Sequence, residues 1–464
     1  MNIEQIYTGC LAQGAYYIES EGEVAIIDPL RETDPYINRA AKQHHTIKYI
    51  FETHFHADFV SGHVDLANKT GAKIIFGPGA NTDYHIYEAK DQEEFTLGKI
   101  KIKVLHTPGH TPESSSFLLK DETGREHALF SGDTLFIGDV GRPDLAIKSD
   151  LTCEDLAGFL FDSLRSKIMT LPDDVIVYPA HGAGSACGKN MSSETFDTLG
   201  NQKKTNYALR ADMTRDEFIK EVTEDLLPPP QYFAKNAALN KFGYESIDTV
   251  MKRGVVPLDV KEFDDIVNQT GALVLDTRDR ETFKEGFVPN SIFIGLGGLF
   301  ASWVGTLIPD IKQPIVLITD EGKEEETVLR LARVGYDNTL GYLEGGFVAW
   351  KNAGKETETI ASISAETLAD QINGGNHTLV LDVRKPVEYQ SEHIENSVNI
   401  PLNYLNDYMD QLTKDHSYFI YCQSGYRSMI MASILKARGF EQVTDVSKGF
   451  EALQQTKVPL TEHM

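Results

Sequence analysis

The sequence predicts an α/β multidomain protein, and three observations carry that prediction. In the first half, β-branched apolar runs stop at Gly- or Pro-flanked histidines and aspartates; the second half repeats itself; and each repeat alternates strand and helix signatures. At 464 residues with 41% hydrophobic content the chain fills about three domains. Their expected limits are 1–251, 258–354 and 362–464.

The first domain is defined by its strand ends. A β-branched run reaching Phe51 ends in Thr53-His54-Phe55-His56-Ala57-Asp58. Side chains two apart on a strand point the same way, so His54, His56 and Asp58 leave one strand end together. An isolated His-x-His is ordinarily a surface loop. Here three more expected strands, 102–105, 128–130 and 175–178, run into Thr107-Pro-Gly-His110, Ser131-Gly-Asp133 and Pro179-Ala-His181. Strand ends that converge on His and Asp describe a metal site. His63 and His106 hold no motif position and are expected to be structural, and Asp28 is expected at a turn beside the site. Helices are expected over 203–209 and 216–227, ahead of Pro228-Pro-Pro230, with a linker over 252–257.

On these motifs, and on Gly132-Asp-Thr-Leu-Phe-Ile-Gly-Asp-Val-Gly-Arg-Pro-Asp144, residues 1 to 250 resemble the metallo-β-lactamase superfamily and, within it, persulfide dioxygenases. The resemblance implies a four-layer αββα sandwich with the metal at one sheet edge. Hydrolases of the superfamily carry a histidine after the motif aspartate for a second zinc, whereas this chain has Phe59, which cannot ligate. A single metal with open positions follows. Two histidines and one carboxylate suit non-haem Fe(II), whose redox chemistry zinc lacks. The expected ligands of one Fe(II) per chain are His54, His110 and Asp133. His56 is expected as a weak ligand or to orient water, and Asp58 and His181 as hydrogen-bond partners behind the ligands. By analogy Arg142 is a candidate to pair with an acidic thiol substrate, with a structural salt bridge as the alternative. Cys187, in a Gly-rich loop after His181, is a candidate sulfur relay, against an inert thiol.

The formal charge of −25 argues against nucleic-acid and membrane-surface partners. The first residues, Met-Asn-Ile-Glu-Gln-Ile, hold neither a basic stretch nor an apolar core, and the expected location is cytoplasmic. The cysteines Cys10, Cys153, Cys187 and Cys422 have no paired spacing, which suits reduced thiols.

After the linker, Leu273-Val-Leu-Asp276-Thr-Arg278 matches Leu379-Val-Leu-Asp382-Val-Arg384, and Tyr342-Leu-Glu-Gly-Gly346-Phe matches Val446-Ser-Lys-Gly449-Phe. Each copy reads as a small parallel sheet wrapped by helices. The second copy contains Cys422-Gln423-Ser424-Gly425-Tyr426-Arg427 between an apolar strand and an amphipathic helix expected over 428–438. A cysteine there sits in a nest of backbone N–H groups at a helix N-terminus, which stabilises anions and lowers a thiol pKa. With Asp382-Val-Arg, Glu388-Tyr, His393-Ile and Asn399-Ile-Pro401 before it, this copy resembles the rhodanese family. That implies Cys422 as a persulfide carrier, cradled by the amides of 423–427, with Arg427 pairing the anionic donor or acceptor. The first copy aligns Asp320 with Cys422 and is read as a degenerate, Cys-less rhodanese serving as spacer, docking surface or oligomer contact, with Asp276 and Arg278 stabilising the fold.

An αββα metallo-β-lactamase sandwich followed by two rhodanese-like α/β domains resembles bacterial persulfide dioxygenase and sulfurtransferase fusions of sulfide detoxification. The resemblance implies oxidation of a low-molecular-weight thiol persulfide by O2 to sulfite, which Cys422 converts to thiosulfate, in a chain expected to form a homo-oligomer. The alternatives are a glyoxalase II-like dinuclear zinc thioester hydrolase fused to a rhodanese, and a sulfur-carrier scaffold whose lactamase fold is inactive.

Overall fold

The computed structural model describes residues 1–146, 151–375 and 378–461. The last three residues of the expected third domain lie outside that set. The chain divides into two compact units, 1–247 with 332–335, and 248–331 with 336–464.

In the first unit, one six-stranded sheet is ordered Asn2–Thr8, Gln13–Ser20, Glu23–Ile27, Thr46–Glu52, Lys73–Phe76, Tyr87–Glu88. A second runs Asp197–Thr198, Ile176–Pro179, Glu126–Gly132, Ser115–Lys120, Ile100–His106, Glu94–Leu97. Period-two alternation decides the packing. Tyr16, Ile18, Phe51 and Ile75 of the first sheet meet Ile102, Val104, Phe117 and Phe130 of the second in one buried layer. Each such fully buried side chain contributes about 1.5–3 kcal/mol. Their neighbours face outward: Tyr17, Ile50 and Phe76 pack on Tyr36, Ala40 and Leu66 of helices Asp34–Lys42 and His63–Thr70. On the other side Leu118, Leu129 and Val177 pack on Leu160, Leu199 and Phe218 of helices Cys153–Ser163, Leu199–Thr205 and Arg215–Thr223. The result is the helix–sheet–sheet–helix sandwich.

Helix ends differ from the sequence expectation for local reasons. Thr214 and Glu217 form a reciprocal capping box that starts Arg215–Thr223, and extended backbone at Glu224 stops it short of residue 227. Residues 252–254, expected in a linker, are the last turn of helix Ile247–Gly254.

The second unit holds two five-stranded sheets, parallel throughout and of identical strand order. One is Pro257–Leu258, Thr339–Leu343, Ile315–Ile318, Leu273–Asp276, Ile292–Phe293; the other is Ala361–Ile363, Val443–Val446, Tyr418–Tyr421, Leu379–Asp382, Val398–Asn399. In each, the Asp-x-Arg motif closes a buried ion pair, Asp276–Arg278 and Asp382–Arg384, both 2.6 Å. Because the pair persists in the copy without a cysteine, it belongs to the fold. Register corrects one alignment: Asp276 pairs with Ile318 and Asp382 with Tyr421, so the residue matching Cys422 is Thr319, not Asp320.

No helix among the described residues is long and apolar enough to cross a membrane.

Candidate functional site

His54, His110 and Asp133 come together at the strand ends, all buried, with ligand atoms within 4.8 Å of one another. Asp133 Oδ2 lies 3.8 Å from His54 Nε2 and 3.4 Å from His110 Nε2. Its Oδ1 faces the other way, 3.6 Å from His181 Nε2. A second group, His56, Asp58 and His181, adjoins the first, with His181 Nε2 and Asp58 Oδ2 3.4 Å apart.

The imidazoles are oriented by their outer nitrogens. His110 Nδ1 lies 2.9 Å from the Arg142 carbonyl, which only accepts, so Nδ1 carries the proton and Nε2 presents its lone pair. His54 Nδ1 is 3.0 Å from Thr53 Oγ1, whose own proton goes to Asp28 Oδ2 at 2.9 Å; the same tautomer follows. Burial first, then the neighbouring His56, His110 and His181, holds the His54 pKa well below its usual value, keeping it neutral and fit to ligate. Both Asp133 oxygens, Asp58 Oδ1 and both His181 nitrogens are buried without a hydrogen-bond partner among the described residues. Orphaned buried polar atoms are costly, and a cation in their midst satisfies them. The donor set therefore fits a metal.

His56 stands apart from the first trio. Its Nε2 is 3.1 Å from Asp28 Oδ1 and 3.8 Å from Glu52 Oε2. Burial opposes its charging, yet Asp28, then Glu52 and Asp58, outweigh burial and raise its pKa to about 9. Asp28 takes φ +48° and accepts from Thr53 N at 2.8 Å, so it is both a turn and a support for the ligand loop. Phe59, buried and 4.5 Å from His56 between ring centroids, occupies the position after Asp58. His63, buried, contacts Tyr84 Oη at 2.6 Å, and His106 reaches the Pro112 carbonyl at 3.0 Å.

Two expectations are corrected. Arg142 is buried and committed: it binds Asp144 through Nε at 2.6 Å and Nη2 at 2.7 Å, and donates to the carbonyls of Leu227 at 2.5 Å and Ala186 at 3.3 Å. It is the structural salt bridge and has no donor pair left for a substrate carboxylate. Cys187 is not exposed on a loop; it is buried with its sulfur in the group of Asp133 and His181. Burial, then Asp58 and Asp133, pushes its thiol pKa well up, the opposite of an activated nucleophile.

Two residues to which the sequence reading gave no role complete the centre. Asn240, on helix Phe233–Phe242, donates to the carbonyls of His56 at 2.7 Å and Phe59 at 2.8 Å and accepts from Ser61 N, pinning the ligand loop from far along the chain. Gly141 has no room for a side chain, since a Cβ would meet the Asp133 carbonyl at 2.0 Å.

In the second unit Cys422 follows strand Tyr418–Tyr421 and precedes helix Tyr426–Ala437, which starts earlier than expected because Gly425, at φ +99°, caps it. Gly439, at φ +83°, lies past its end. Cys422 Sγ is buried, accepts from Gly425 N at 3.1 Å and lies 3.7 Å from Ser428 Oγ, which donates to Asp445. Only this amide of the loop reaches the sulfur. Arg427 is held bidentately by Glu388 at 2.7 and 2.8 Å, Tyr426 Oη donates to Gly295, and Gln423 Oε1 is 3.5 Å from Arg384 Nη1. Of the residues expected to bind substrate, Ser424, Tyr426 and Arg427 line the cleft that Cys422 also lines. Glycine is required opposite Cys422 as well: Gly449 has φ +56°, and its Cβ would meet the Cys422 carbonyl at 2.2 Å.

Comparison with known proteins matches the three folded regions to known families. Residues 8–181 match the metallo-beta-lactamase superfamily model, and 259–353 and 364–456 each match the rhodanese-like domain model. The human mitochondrial persulfide dioxygenase ETHE1 is 30% identical over 213 residues, 45% of this chain and 74% of that protein. The probable hydroxyacylglutathione hydrolase glo2 of Schizosaccharomyces pombe is 31% identical over 197 residues, 42% of this chain and 72% of that one. A crystal structure of a metallo-beta-lactamase from Staphylococcus aureus subsp. aureus COL superposes with a TM-score of 0.64 at 34% identity, covering 74% of this chain and 98% of that one. The chain belongs to the metallo-β-lactamase superfamily, with tandem rhodanese-like domains following the metal-binding fold.

Proposed function

We propose that the protein is a non-haem Fe(II) persulfide dioxygenase coupled to a sulfurtransferase, oxidising low-molecular-weight thiol persulfides to sulfite and passing sulfane sulfur through Cys422 to make thiosulfate. The observation that carries it is the trio of two histidines and one carboxylate, His54, His110 and Asp133, beside a phenylalanine where a further ligand would stand. Fe(II) held there would supply the redox chemistry towards O2 that zinc lacks.

The chain's own groups do the rest. Thr53 and the Arg142 carbonyl fix the two Nε2 lone pairs, and Asp133 contributes the negative charge. At Cys422 the outer sulfur of a persulfide extends about 2 Å beyond Sγ, toward the loop amides and the helix N-terminus. A sulfite lone pair attacks that outer sulfur, the new S–S bond gives thiosulfate, and the Cys422 S–S bond breaks. The departing Cys422 thiolate accepts from Gly425 N. The relative named a persulfide dioxygenase supports this reading.

The test is metal analysis and O2 uptake on anaerobically purified protein across a panel of thiol persulfides, with iron and persulfide-dependent uptake expected. A second reading, thioester hydrolysis at two zinc ions, is favoured by the orphaned atoms of Asp58 and His181 next to Asp133 and by the relative named a hydroxyacylglutathione hydrolase. A stable zinc pair with thioesterase activity and no O2 uptake would establish it instead.

A further inference from the structure

The cleft that Cys422 lines is much larger than sulfite or thiosulfate requires. Its volume is about 890 Å³. That lies in the roughly 300–1,000 Å³ range of sites that enclose drug-sized molecules. Fifteen of its twenty lining residues come from the module without a cysteine, and the lining as a whole carries more cations than carboxylates. Cationic side chains at 278, 280, 323, 330, 385 and 427 face three carboxylates, Asp279, Asp320 and Glu326, in a chain whose overall charge is −25. Between the charges lies an apolar shelf of Trp303 and Leu299, the latter 42% exposed.

The two modules are fastened around the cysteine loop. Arg280 Nη1 donates to the Ser424 carbonyl at 2.5 Å, Tyr426 Oη to the Gly295 carbonyl at 2.8 Å, and Phe293 N to Ser433 Oγ at 2.9 Å. Arg330 is spent on the carbonyls of Leu296 and Gly298, which shapes the wall. Arg427 is spent on Glu388. Of the middle module's cations that line the cleft, Arg280 and Lys323 keep the most exposed side chains, 29% and 53%; each meets an exposed carboxylate, Glu281 at 3.2 Å and Glu326 at 2.9 Å, in a solvent-screened pair that an anionic ligand can replace.

We propose that the Cys-less module is the specificity wall of the sulfurtransferase site, and that the thiol exchanging sulfur with Cys422 is a large polyanionic one. Its sulfur meets Cys422, its flexible body lies on Trp303 and Leu299, and its acidic groups pair with Arg280 and Lys323. This rests on the sulfur-carrier reading of Cys422. The step needs no outside oxidant: the acceptor thiol gives its proton to solvent, its thiolate attacks the outer sulfur, a new S–S bond forms, and Cys422 leaves as thiolate. The reverse reaction loads Cys422 from the same thiol's persulfide.

The experiment uses the full chain with thiosulfate as donor and two acceptors, coenzyme A as a large polyanionic thiol and 2-mercaptoethanol as a small uncharged one. The ratio of kcat/KM for coenzyme A to that for 2-mercaptoethanol is measured in wild type, Arg280→Gln, Lys323→Gln and the double variant. The ratio is expected to fall by about tenfold in the double variant, mainly through the coenzyme A KM. A ratio within about twofold of wild type in all variants overturns the wall, because a merely structural effect through the Ser424 contact lowers both rates together. Mass spectrometry of wild type after thiosulfate alone separates the two levels. If Cys422 gains no sulfur atom, the carrier reading fails first and the wall with it.

Discussion

Phe59 packs against His56 with ring centroids 4.5 Å apart, next to Asp58, whose Oδ1 is buried without a hydrogen-bond partner among the described residues, as are both nitrogens of His181. On the single-iron proposal, this ring stands where a further ligand would complete a second metal site. Phe59→His returns an imidazole to that position. Zinc bound per chain should rise in the variant expressed with zinc, as read by elemental analysis, and persulfide-dependent O2 uptake should fall. Unchanged metal content would mean that Phe59 does not set the number of ions.

Gly141 is the tightest point behind the ligands. A Cβ there meets the Asp133 carbonyl at 2.0 Å and His110 Nδ1 at 3.0 Å. Gly141→Ala must therefore displace the carbonyl or the imidazole that the Arg142 carbonyl orients. Expected effects are a loss of about 1–3 kcal/mol in stability and a larger fall in metal retention. Gly9→Ala, with nothing within 4 Å, is the control. Equal thermal midpoints and equal metal content for the two variants would refute the argument.

What the sequence made legible was what local pattern encodes. His54, His110 and Asp133 follow strands recognisable as short apolar, β-branched runs that end in Gly- or Pro-flanked turns, and those residues converge. The repeat fixed two like sheets. What stayed hidden depends on contacts remote in sequence: Asn240 holding the carbonyls of His56 and Phe59, and Thr53 joining His54 to Asp28. Cys187 misled for a related reason. A Gly-rich stretch reads as exposed loop, but Arg142 ties it down through the carbonyls of Cys187 and Ala186. The match of Asp320 to Cys422 erred by one position because loop lengths differ between the copies, which only strand register resolves.

The two centres use different chemistry and should separate by mutation. Cys422→Ser should keep persulfide-dependent O2 uptake while the product shifts from thiosulfate toward sulfite. His110→Ala should lose bound metal and O2 uptake yet retain thiosulfate:thiol sulfur transfer. Ion chromatography of products together with an oxygen electrode reads both. Unchanged thiosulfate yield in Cys422→Ser would contradict the division of labour.

Glu388 anchors Arg427 beside the cysteine loop, and its titration sets a pH window. Burial pushes its carboxyl pKa up, but the Arg427 guanidinium and the Lys385 amide outweigh this and hold it below the usual glutamate value. A depressed folded pKa gives stability that is fully present above the unfolded value, about 4.3, and is lost as pH falls through the folded one. The pair is partly exposed, at 16% and 30%, so its contribution is about 0.5–1 kcal/mol at most. Glu388→Gln should therefore be less stable than wild type at pH 7 by about that amount, with the gap closing below pH of about 4. Denaturant melts of the two proteins across that range provide the measurement. A gap that persists undiminished at low pH would mean that the carboxylate charge is not what holds Arg427. The same variant frees the guanidinium over the cleft, so its KM for an anionic sulfur donor should change while the metal content stays at the wild-type level.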